Sequence, residues 1–199
     1  MADDHYWMQT YSGGQFFYEP GQPKEISIVD IARSLSRLPR FLGHSNNFIS
    51  VAEHSLAVMQ MAQYDGRGTH LQLLALLHDA HEAYIGDVPA PLCAYLQDRY
   101  AIDLGSFKHA LQDDILRALE IDLPTPAEDE MLKTYDLVAL AAERKLAMPS
   151  NHKWFSDAIR VEEPTMGYYG FHDQDMAMRL FENEYLNLKA QLDFELRTS

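Results

Sequence analysis

Apolar residues recur with a helical period along most of this chain. From about residue 25 onward they return every three or four positions, the spacing that gathers them on one face of an α-helix. The pattern predicts a helix marked by Ile28, Ile31, Leu35 and Leu38, one that begins at Ser50, others over about 70–84, 91–99, 103–120 and 125–148, and a last amphipathic helix through Ala177, Phe181, Tyr185, Leu188 and Leu192. This succession of helices indicates an all-α protein.

Local signals mark several helix starts and the N-terminal segment. Ser50-Val51-Ala52-Glu53 and Thr125-Pro126-Ala127-Glu128 both have the spacing of a capping box, which satisfies the free backbone N–H groups of a helix start. Residues 5–24 carry aromatic residues around Gly13-Gly14, a pattern that predicts a short β-hairpin. Residues 149–170 contain prolines and glycines and are predicted to be irregular.

These elements predict one domain over residues 1–199. It consists of an N-terminal β element (1–24), a helical core (25–148) and a C-terminal loop and helix (149–199). A chain of 199 residues is long enough to bury a full core. Its 47% hydrophobic and 23% charged residues are those of an ordinary soluble globular protein.

Charge and cysteine usage narrow the environment and the partners. The single cysteine, Cys93, excludes an internal disulfide framework and fits a reducing cytosol. No apolar stretch approaches the ~20 residues of a membrane span, and the first residues lack a signal-peptide pattern. We therefore expect a cytoplasmic protein with no membrane partner. The formal charge of −14 excludes nucleic acid as a partner, because phosphate-backbone binding requires a basic face.

An adjacent histidine and aspartate, His78 and Asp79, interrupt an apolar run of leucine and alanine. Burying an imidazole and a carboxylate without partners is costly, so something must satisfy both groups. A divalent cation would do so, with one nitrogen and one oxygen ligand. His54 on the preceding predicted helix and Asp136 on a later one complete a four-ligand metal site assembled from three helices.

The spacing around this doublet also supplies a candidate acid–base group. His78 and Glu82 are four residues apart and would share one helix face, so Glu82 would lie near the ion without ligating it. That is the position of a general acid or base. Two histidines and two aspartates leave open coordination positions, which favours one divalent Mn²⁺, Co²⁺, Mg²⁺ or Fe²⁺ ion over a closed structural zinc site; Zn²⁺ is a further candidate.

The doublet belongs to the longer motif His78-Asp79-x-x-Glu82-x-x-x-Gly86-Asp87-x-Pro89-x-Pro91, with Glu53-His54-Ser55 upstream and Tyr135-Asp136 downstream. Over residues 30–145 this pattern resembles the HD-domain metal-dependent phosphohydrolases. Within that group it is similar to the YfbR-like 5′-deoxynucleotidases and their phage and prophage relatives. The resemblance implies an HD-domain helical bundle in a bacterial or phage protein, with one metal held by His54, His78, Asp79 and Asp136.

The resemblance also implies a substrate and the residues that contact it. Glu82 matches the catalytic glutamate of that family, and Asp87, the second catalytic candidate, matches an aspartate beside the substrate. Arg40 matches the arginine that contacts the substrate phosphate, and His44 a position near the nucleotide. Phe41 stands where the deoxynucleotidases have tryptophan, an aromatic residue that helps to exclude the ribose 2′-hydroxyl. The implied reaction is hydrolysis of the 5′-phosphate ester of deoxyribonucleoside monophosphates.

Three alternatives remain open at this point. DatZ-like dATP triphosphohydrolases share the metal residues, so release of triphosphate from a dNTP is the second prediction for the reaction. A non-catalytic nucleotide-binding HD module would usually lack a ligand or the acid–base residue, and none of the five is missing here. A purely structural metal would not require open coordination beside Glu82. For each enzyme prediction the partner is a small nucleotide, and the resemblance implies a homo-oligomer.

Overall fold

The computed structural model describes residues 6–19 and 24–198, except for the side chains of residues 163 and 164. It is mostly helical with a small antiparallel sheet at the N-terminus, which confirms that part of the predicted fold class. The elements are β1 Trp7–Gln9, β2 Gln15–Phe17, α1 Ile28–Leu35, α2 Val51–Tyr64, α3 Thr69–Leu77, α4 Glu82–Ile85, α5 Ala90–Tyr100, α6 Leu104–Ala118, α7 Pro126–Ala147, α8 Glu163–Met166 and α9 Gln174–Thr198. No helix in these ranges is long and apolar enough to cross a membrane.

Helix α2 lies at the centre of the molecule. It packs against α3, α7 and α9, and nearly every side chain along it is buried, whichever face of the helix it occupies. His54 belongs to this buried helix and is fully inaccessible to solvent. Because a helix that is apolar on all sides must be surrounded by protein, α2 provides a rigid element for any group that it carries.

The N-terminal hairpin is fastened to the helix that carries Glu82. β1 and β2 pair antiparallel, and the turn between them uses Gly13 at a φ of 93°, a conformation that favours glycine. Phe16 is fully buried and stacks on Tyr84, with 4.0 Å between ring centroids. The Tyr18 hydroxyl donates to the Tyr84 carbonyl over 2.7 Å. The hairpin prediction is confirmed, apart from residues 1–5 and 20–23, which lie outside the described residues.

The single helix predicted over 70–84 is wrong, because the chain breaks at the His-Asp doublet. Helix α3 ends at Leu77 and α4 begins at Glu82. The Gln112 carboxamide lies between two backbone groups that an unbroken helix would pair. It donates to the Leu77 carbonyl over 2.7 Å and accepts from the His81 N–H over 3.1 Å. A side chain inserted into the helical ladder produces this kind of break, and Gln112 is too distant in sequence to be predicted from the local pattern.

Two other sequence predictions need correction at the level of local structure. Helix α1 ends at Leu35, so Leu38 lies outside it. The segment 149–170 is not wholly irregular, since it contains a 3₁₀ turn at Phe155–Ala158 and the short helix α8. Both differences arise in short elements, where the helical period extends over too few residues to be distinguished from a turn.

The two predicted capping boxes have different outcomes. At α7 the box is complete, because the Thr125 and Glu128 side chains each accept from the backbone N–H of the other residue. At α2 only half of it forms. The Ser50 hydroxyl accepts from the Glu53 N–H, while the Glu53 carboxylate accepts from the backbone N–H of His172, 3.3 Å away. A tertiary contact therefore replaces the local one.

The C-terminal helix is confirmed as amphipathic. Helix α9 buries one face against α1, α2 and α3. The five apolar residues predicted for that face are all buried: Ala177, Phe181, Tyr185, Leu188 and Leu192. In α7, Asp136 and Glu143 are two turns apart and lie on one side of the helix.

Candidate metal centre

Three of the four predicted ligands, His54, His78 and Asp79, place ligand atoms within 4.8 Å of one another, and the fourth, Asp136, approaches His54. They come from three separate parts of the chain. His54 lies in α2, His78 and Asp79 lie in the turn after α3, and Asp136 lies in α7. The Nε2 atoms of His54 and His78 are 3.2 Å apart. His54 Nε2 is 3.1 Å from Asp136 Oδ1 and 3.6 Å from Asp79 Oδ2, and His78 Nε2 is 3.2 Å from Asp79 Oδ2. Ligands at right angles around one ion, each about 2.1 Å from it, are separated by about 3 Å.

The outer nitrogens of both histidines are committed to other acceptors. His78 Nδ1 donates to the Ala75 carbonyl over 2.8 Å, and His54 Nδ1 donates to Glu143 Oε1 over 2.7 Å. In the neutral rings both Nε2 atoms then carry lone pairs, and these two atoms face each other. A cation between them would remove the repulsion, and an outer hydrogen bond of this type is what orients metal-binding histidines. The donor set therefore fits a divalent metal ion.

The electrostatics of the cluster also favour a positive charge near the two facing Nε2 atoms. Burial and Arg40 lower the pKa of His54, but Glu143 and Asp136 outweigh them and raise it to about 10. Burial also opposes the charged form of Asp79, yet His78 and His54 hold the pKa of that carboxyl well below its usual value. Histidines that retain protons beside ionised aspartates mark a site that binds cations. A metal ion would replace those protons.

Glu143, a residue that the sequence analysis did not select, holds His54 and Arg40 in position by hydrogen bonds. Glu143 is fully buried, and its Oε1 accepts from His54 Nδ1 and from the Tyr169 hydroxyl, the latter over 3.1 Å. Its Oε2 accepts from Arg40 Nε over 3.2 Å. Although burial alone would raise the pKa of Glu143, the charges of Arg40 and His54 lower it. A signal was present, since Glu143 and Arg144 interrupt an apolar run as His78 and Asp79 do.

Arg40 is held in a strained turn at the edge of the cluster. It begins the 3₁₀ turn Arg40–Gly43, in which Phe41 and Leu42 have φ values of 56° and 53°, a left-handed conformation that is costly for residues other than glycine. The Arg40 N–H donates to the Ile49 carbonyl over 2.8 Å, which anchors the turn. The buried guanidinium contacts the Glu143 and Asp87 carboxylates, which, against the effect of burial, raise the pKa of Arg40 further above its usual value.

Glu82 is buried and largely unpartnered. Its Oε2 atom has no hydrogen-bond partner among the described residues, and the whole side chain is nearly inaccessible. Burial, together with the charges of Asp79 and Asp87, raises the pKa of Glu82 to about 10, so it carries a proton at neutral pH in the absence of metal. Because the helix breaks before it, Glu82 does not share one helix face with His78 as predicted. Ligand atoms of Asp79, His81 and Glu82 nevertheless lie within 4.8 Å of one another.

A cavity of about 880 Å³ lies beside this cluster and is lined by Asp136, though not by His54, His78 or Asp79. Its volume is within the usual range for a small-molecule site. Five of the predicted site residues line it: Arg40, Phe41, Glu82, Asp87 and Asp136. Two lysines, Lys108 and Lys153, line it as well, and neither forms an ion pair with any described residue. His44 is exposed and is not among the lining residues, so its predicted contact with the nucleotide stays a prediction.

A second, smaller cavity of about 360 Å³ adjoins the first. The two share Glu82, Gly105, Lys108 and Asp136 in their walls, and the smaller one is also lined by His78 and Asp79. The smaller one is also bordered by Lys133 and by further acidic side chains, among them Asp129. The larger cavity combines cationic side chains with a mostly apolar wall, whereas the smaller one is more acidic. An anionic organic molecule therefore fits the larger cavity better.

No profile of a known protein family matches the chain. The chain is 36% identical over 139 residues to YfdR, an uncharacterized protein of Escherichia coli (strain K12), and the match covers 70% of this chain and 71% of YfdR. It is also 32% identical over 125 residues to the uncharacterized protein RCAP_rcc00048 of Rhodobacter capsulatus, covering 61% and 60% of the two chains. Neither name assigns an activity. The extent of the first match shows that this chain belongs to the same family as YfdR.

Proposed function

We propose that this protein is an HD-type phosphohydrolase that uses one divalent metal ion to hydrolyse the 5′-phosphate ester of deoxyribonucleoside monophosphates. The observation that carries the proposal is the cluster of His54, His78 and Asp79, whose ligand atoms lie within 4.8 Å of one another, with Asp136 Oδ1 3.1 Å from His54 Nε2 and both outer imidazole nitrogens already bonded elsewhere. The site is open to the larger cavity, since Asp136 lines it and its side chain is 43% exposed. A closed structural metal site would not be open in this way.

A divalent ion at these four residues would polarise a phosphate oxygen and a water molecule, which is the usual contribution of a metal to ester hydrolysis. The side chains around it have separate roles. Arg40 presents its guanidinium to the cavity while Glu143 and Asp87 fix its orientation, so it can hold a phosphate oxygen. Lys108 adds a second positive charge on the same wall. These local charges offset the long-range repulsion between a chain of charge −14 and an anionic substrate.

Glu82 is the proposed acid–base residue. Hydrolysis adds a water oxygen to phosphorus and breaks the bond between phosphorus and the sugar O5′, which must then receive a proton. Glu82 is a buried carboxylic acid with one unpartnered oxygen, it lines the cavity, and in the metal-free site its pKa is raised to about 10. A group of this kind holds a proton that it can donate to a leaving alkoxide.

A second candidate function is hydrolysis of a dNTP with release of triphosphate. The smaller cavity favours it, because it provides room beside the cluster for further phosphates and carries Lys108 and Lys133. The acidic residues Asp113 and Asp129 in the same wall would repel a polyphosphate, which is why the monophosphate comes first.

The deciding experiment is a panel of dNMPs, NMPs and dNTPs assayed with Mn²⁺, Co²⁺ or Mg²⁺, with phosphate, pyrophosphate and triphosphate resolved as products. We expect metal-dependent release of phosphate from dNMPs and slower release from NMPs, since Phe41 lines the cavity beside Arg40. Triphosphate from dATP with dAMP left intact would establish the second candidate instead. Absence of turnover with every compound would refute both.

Glu82→Gln tests the acid–base role, with Glu53→Gln as its matched control. Both residues are buried and each has one oxygen without a hydrogen-bond partner, but Glu53 lines neither cavity. Glu82→Gln should keep its metal and lose kcat by about 10²-fold or more, the usual size of an acid–base contribution. Glu53→Gln should retain turnover. Equal kcat values in wild type and Glu82→Gln would show that another group handles the proton.

A further inference from the structure

Part of the lining of the larger cavity is aromatic and comes from a segment that the sequence resemblance does not cover. Trp154 and Phe155 both line the cavity, shortly after α7. Phe155 is 71% exposed and Trp154 is partly exposed. Neighbouring exposed apolar side chains at a cavity wall are typical of a ligand-binding surface.

Contacts from α7 hold this segment in place. Arg144 donates to the carbonyls of Met148, Pro149 and His152, at 3.1, 2.6 and 2.8 Å. Its guanidinium carbon lies 4.9 Å from the centroid of the Trp154 ring. Phe41 approaches the same indole edge-to-face, with 5.9 Å between ring centroids. The indole is therefore fixed between the arginine beside Glu143 and the aromatic residue beside Arg40.

The lining of the cavity combines charged and apolar side chains. The charged ones are Arg40, Glu82, Asp87, Lys108, Asp136 and Lys153, whereas prolines, Val88 and the aromatic pair are apolar. A cavity of about 880 Å³ is larger than a phosphate and a sugar require. A molecule that carries both an anionic group and a flat apolar ring system fits this lining, and a nucleotide has both.

We infer that Trp154 and Phe155 form the binding platform for the base of the nucleotide, and that they hold it by stacking. This inference rests on the proposed function and adds the residues that determine substrate recognition. Stacking uses the π-face that every base has, so it favours nucleotides over base-free sugar phosphates with little preference among the four bases. In this arrangement the aromatic pair determines the affinity for the nucleotide, and the charged side chains near the metal ligands carry out the reaction.

Fluorescence tests the contact directly, because the chain has only two tryptophans and the other, Trp7, lies in the hairpin. In a Trp7→Phe/Glu82→Gln protein, Trp154 is the sole tryptophan and the substrate is not consumed. Titration with dAMP in the presence of Mg²⁺ should quench its emission to saturation, whereas 2-deoxyribose 5-phosphate should not. No saturable quenching by dAMP would overturn the inference.

Kinetics supply a second readout that does not depend on tryptophan. Wild type should prefer dAMP to 2-deoxyribose 5-phosphate in kcat/KM by about 5- to 100-fold, the range that stacking on an aromatic side chain supplies. Phe155→Ala should lower the ratio of kcat/KM for dAMP to kcat/KM for 2-deoxyribose 5-phosphate. Because the Phe155 side chain is largely exposed, the variant should fold, and misfolding would not explain a lower ratio. Trp154→Leu should narrow it further, while Trp7→Phe serves as the control that keeps the ratio.

The outcomes separate the two proposals. Quenching by dAMP without hydrolysis of any nucleotide would refute the proposed function and leave the base-binding platform standing. Hydrolysis of dAMP without quenching, and with the same ratio in Phe155→Ala as in wild type, would refute the platform and leave the enzyme. A folded, metal-loaded protein that shows neither quenching nor hydrolysis would refute both proposals.

Discussion

Two charged doublets interrupt apolar stretches of this chain, and the fold uses them in opposite ways. His78 and Asp79 lie where a helix breaks, and both border a cavity beside Asp136 and Glu82. Glu143 and Arg144 lie inside the unbroken helix α7, are almost fully buried, and border neither cavity. The first doublet supplies ligand atoms, and the second positions groups that reach the cavity.

The difference follows from the backbone conformation at each doublet, a turn in the first case and a continuous helix in the second. At the break, the turn after Leu77 directs two consecutive side chains into one site. Within a continuous helix, consecutive side chains diverge by about 100°, so Glu143 and Arg144 reach different neighbours. Glu143 binds His54 and Arg40, while Arg144 binds the carbonyls before Trp154. The side chains of the first doublet therefore meet in one cluster. In the second doublet, Glu143 contacts that cluster and Arg144 contacts the segment before Trp154.

Removing a ligand of the first doublet should have the largest effect. Asp79→Ala takes one carboxylate out of a cluster in which it lies 3.2 Å from His78 Nε2, so the protein should lose its metal and all measurable hydrolysis. The fold should survive, because the apolar faces of α2 and α3 are unchanged. Metal analysis and circular dichroism of the purified variant check both statements. Stoichiometric metal in a folded Asp79→Ala protein would refute the ligand assignment.

Weakening the second doublet should have a smaller effect on the same ion. Glu143→Gln preserves shape but removes the charge that fixes His54 and offsets Arg40, so metal affinity should fall by about 10- to 100-fold, as for other outer partners of metal-binding histidines. Glutamine is the useful change, because alanine would also remove the hydrogen-bonding atoms that contact His54 and Arg40. Metal titration gives the affinity.

Tyr169→Phe is the matched control for Glu143→Gln. It removes only the hydroxyl that donates to Glu143 and leaves the carboxylate bonded to His54 and Arg40. Its metal affinity should stay close to that of wild type. If Glu143→Gln also binds metal as tightly as wild type, the two doublets are independent, and the connection through His54 is energetically unimportant.

The two doublets also show which features can be predicted from sequence. The capped α7 and the buried face of α9 are local patterns, so the sequence alone predicted them. The helix break depends on Gln112, and the strained turn at Phe41 depends on pairing with a distant segment. Glu143 follows the same apolar-run pattern as Asp79, but only the fold reveals that its partners are His54 and Arg40.

His54 contacts Asp79 of the first doublet and Glu143 of the second. Because His54 binds a proton, these contacts depend on pH. Without metal the folded protein holds a proton on His54 up to a pKa of about 10, whereas a histidine of the unfolded chain loses it near 6.5. Glu82 likewise stays protonated to about 10 when folded but ionises near 4.5 when unfolded. In both cases the folded state binds more protons, so its stability should fall as pH rises from about 6.5 towards 10.

A thermal denaturation series between pH 6.5 and 9 measures this. The melting temperature in EDTA should fall as pH rises, and it should fall less with Mn²⁺, because the ion replaces the proton on His54. Asp79→Ala is the control and should show no benefit from the metal at any pH. A melting temperature in EDTA that rises over this interval would contradict the assigned directions of both pKa shifts.

The smallest effect is expected at Arg144, the part of the second doublet that does not contact the metal ligands. Arg144→Gln should leave the metal content unchanged and raise KM for dAMP severalfold, because the carbonyls of residues 148–152 lose their donors and Trp154 is less well held. Stability should fall by about 1–3 kcal/mol, as expected for buried hydrogen bonds. Arg160→Gln, an exposed change in the same region, is the matched control and should alter neither quantity.

Loss of metal from a folded Arg144→Gln protein would show that the second doublet acts on the metal centre as one unit. An unchanged KM would instead separate Arg144 from substrate binding and leave only Glu143 in contact with the site.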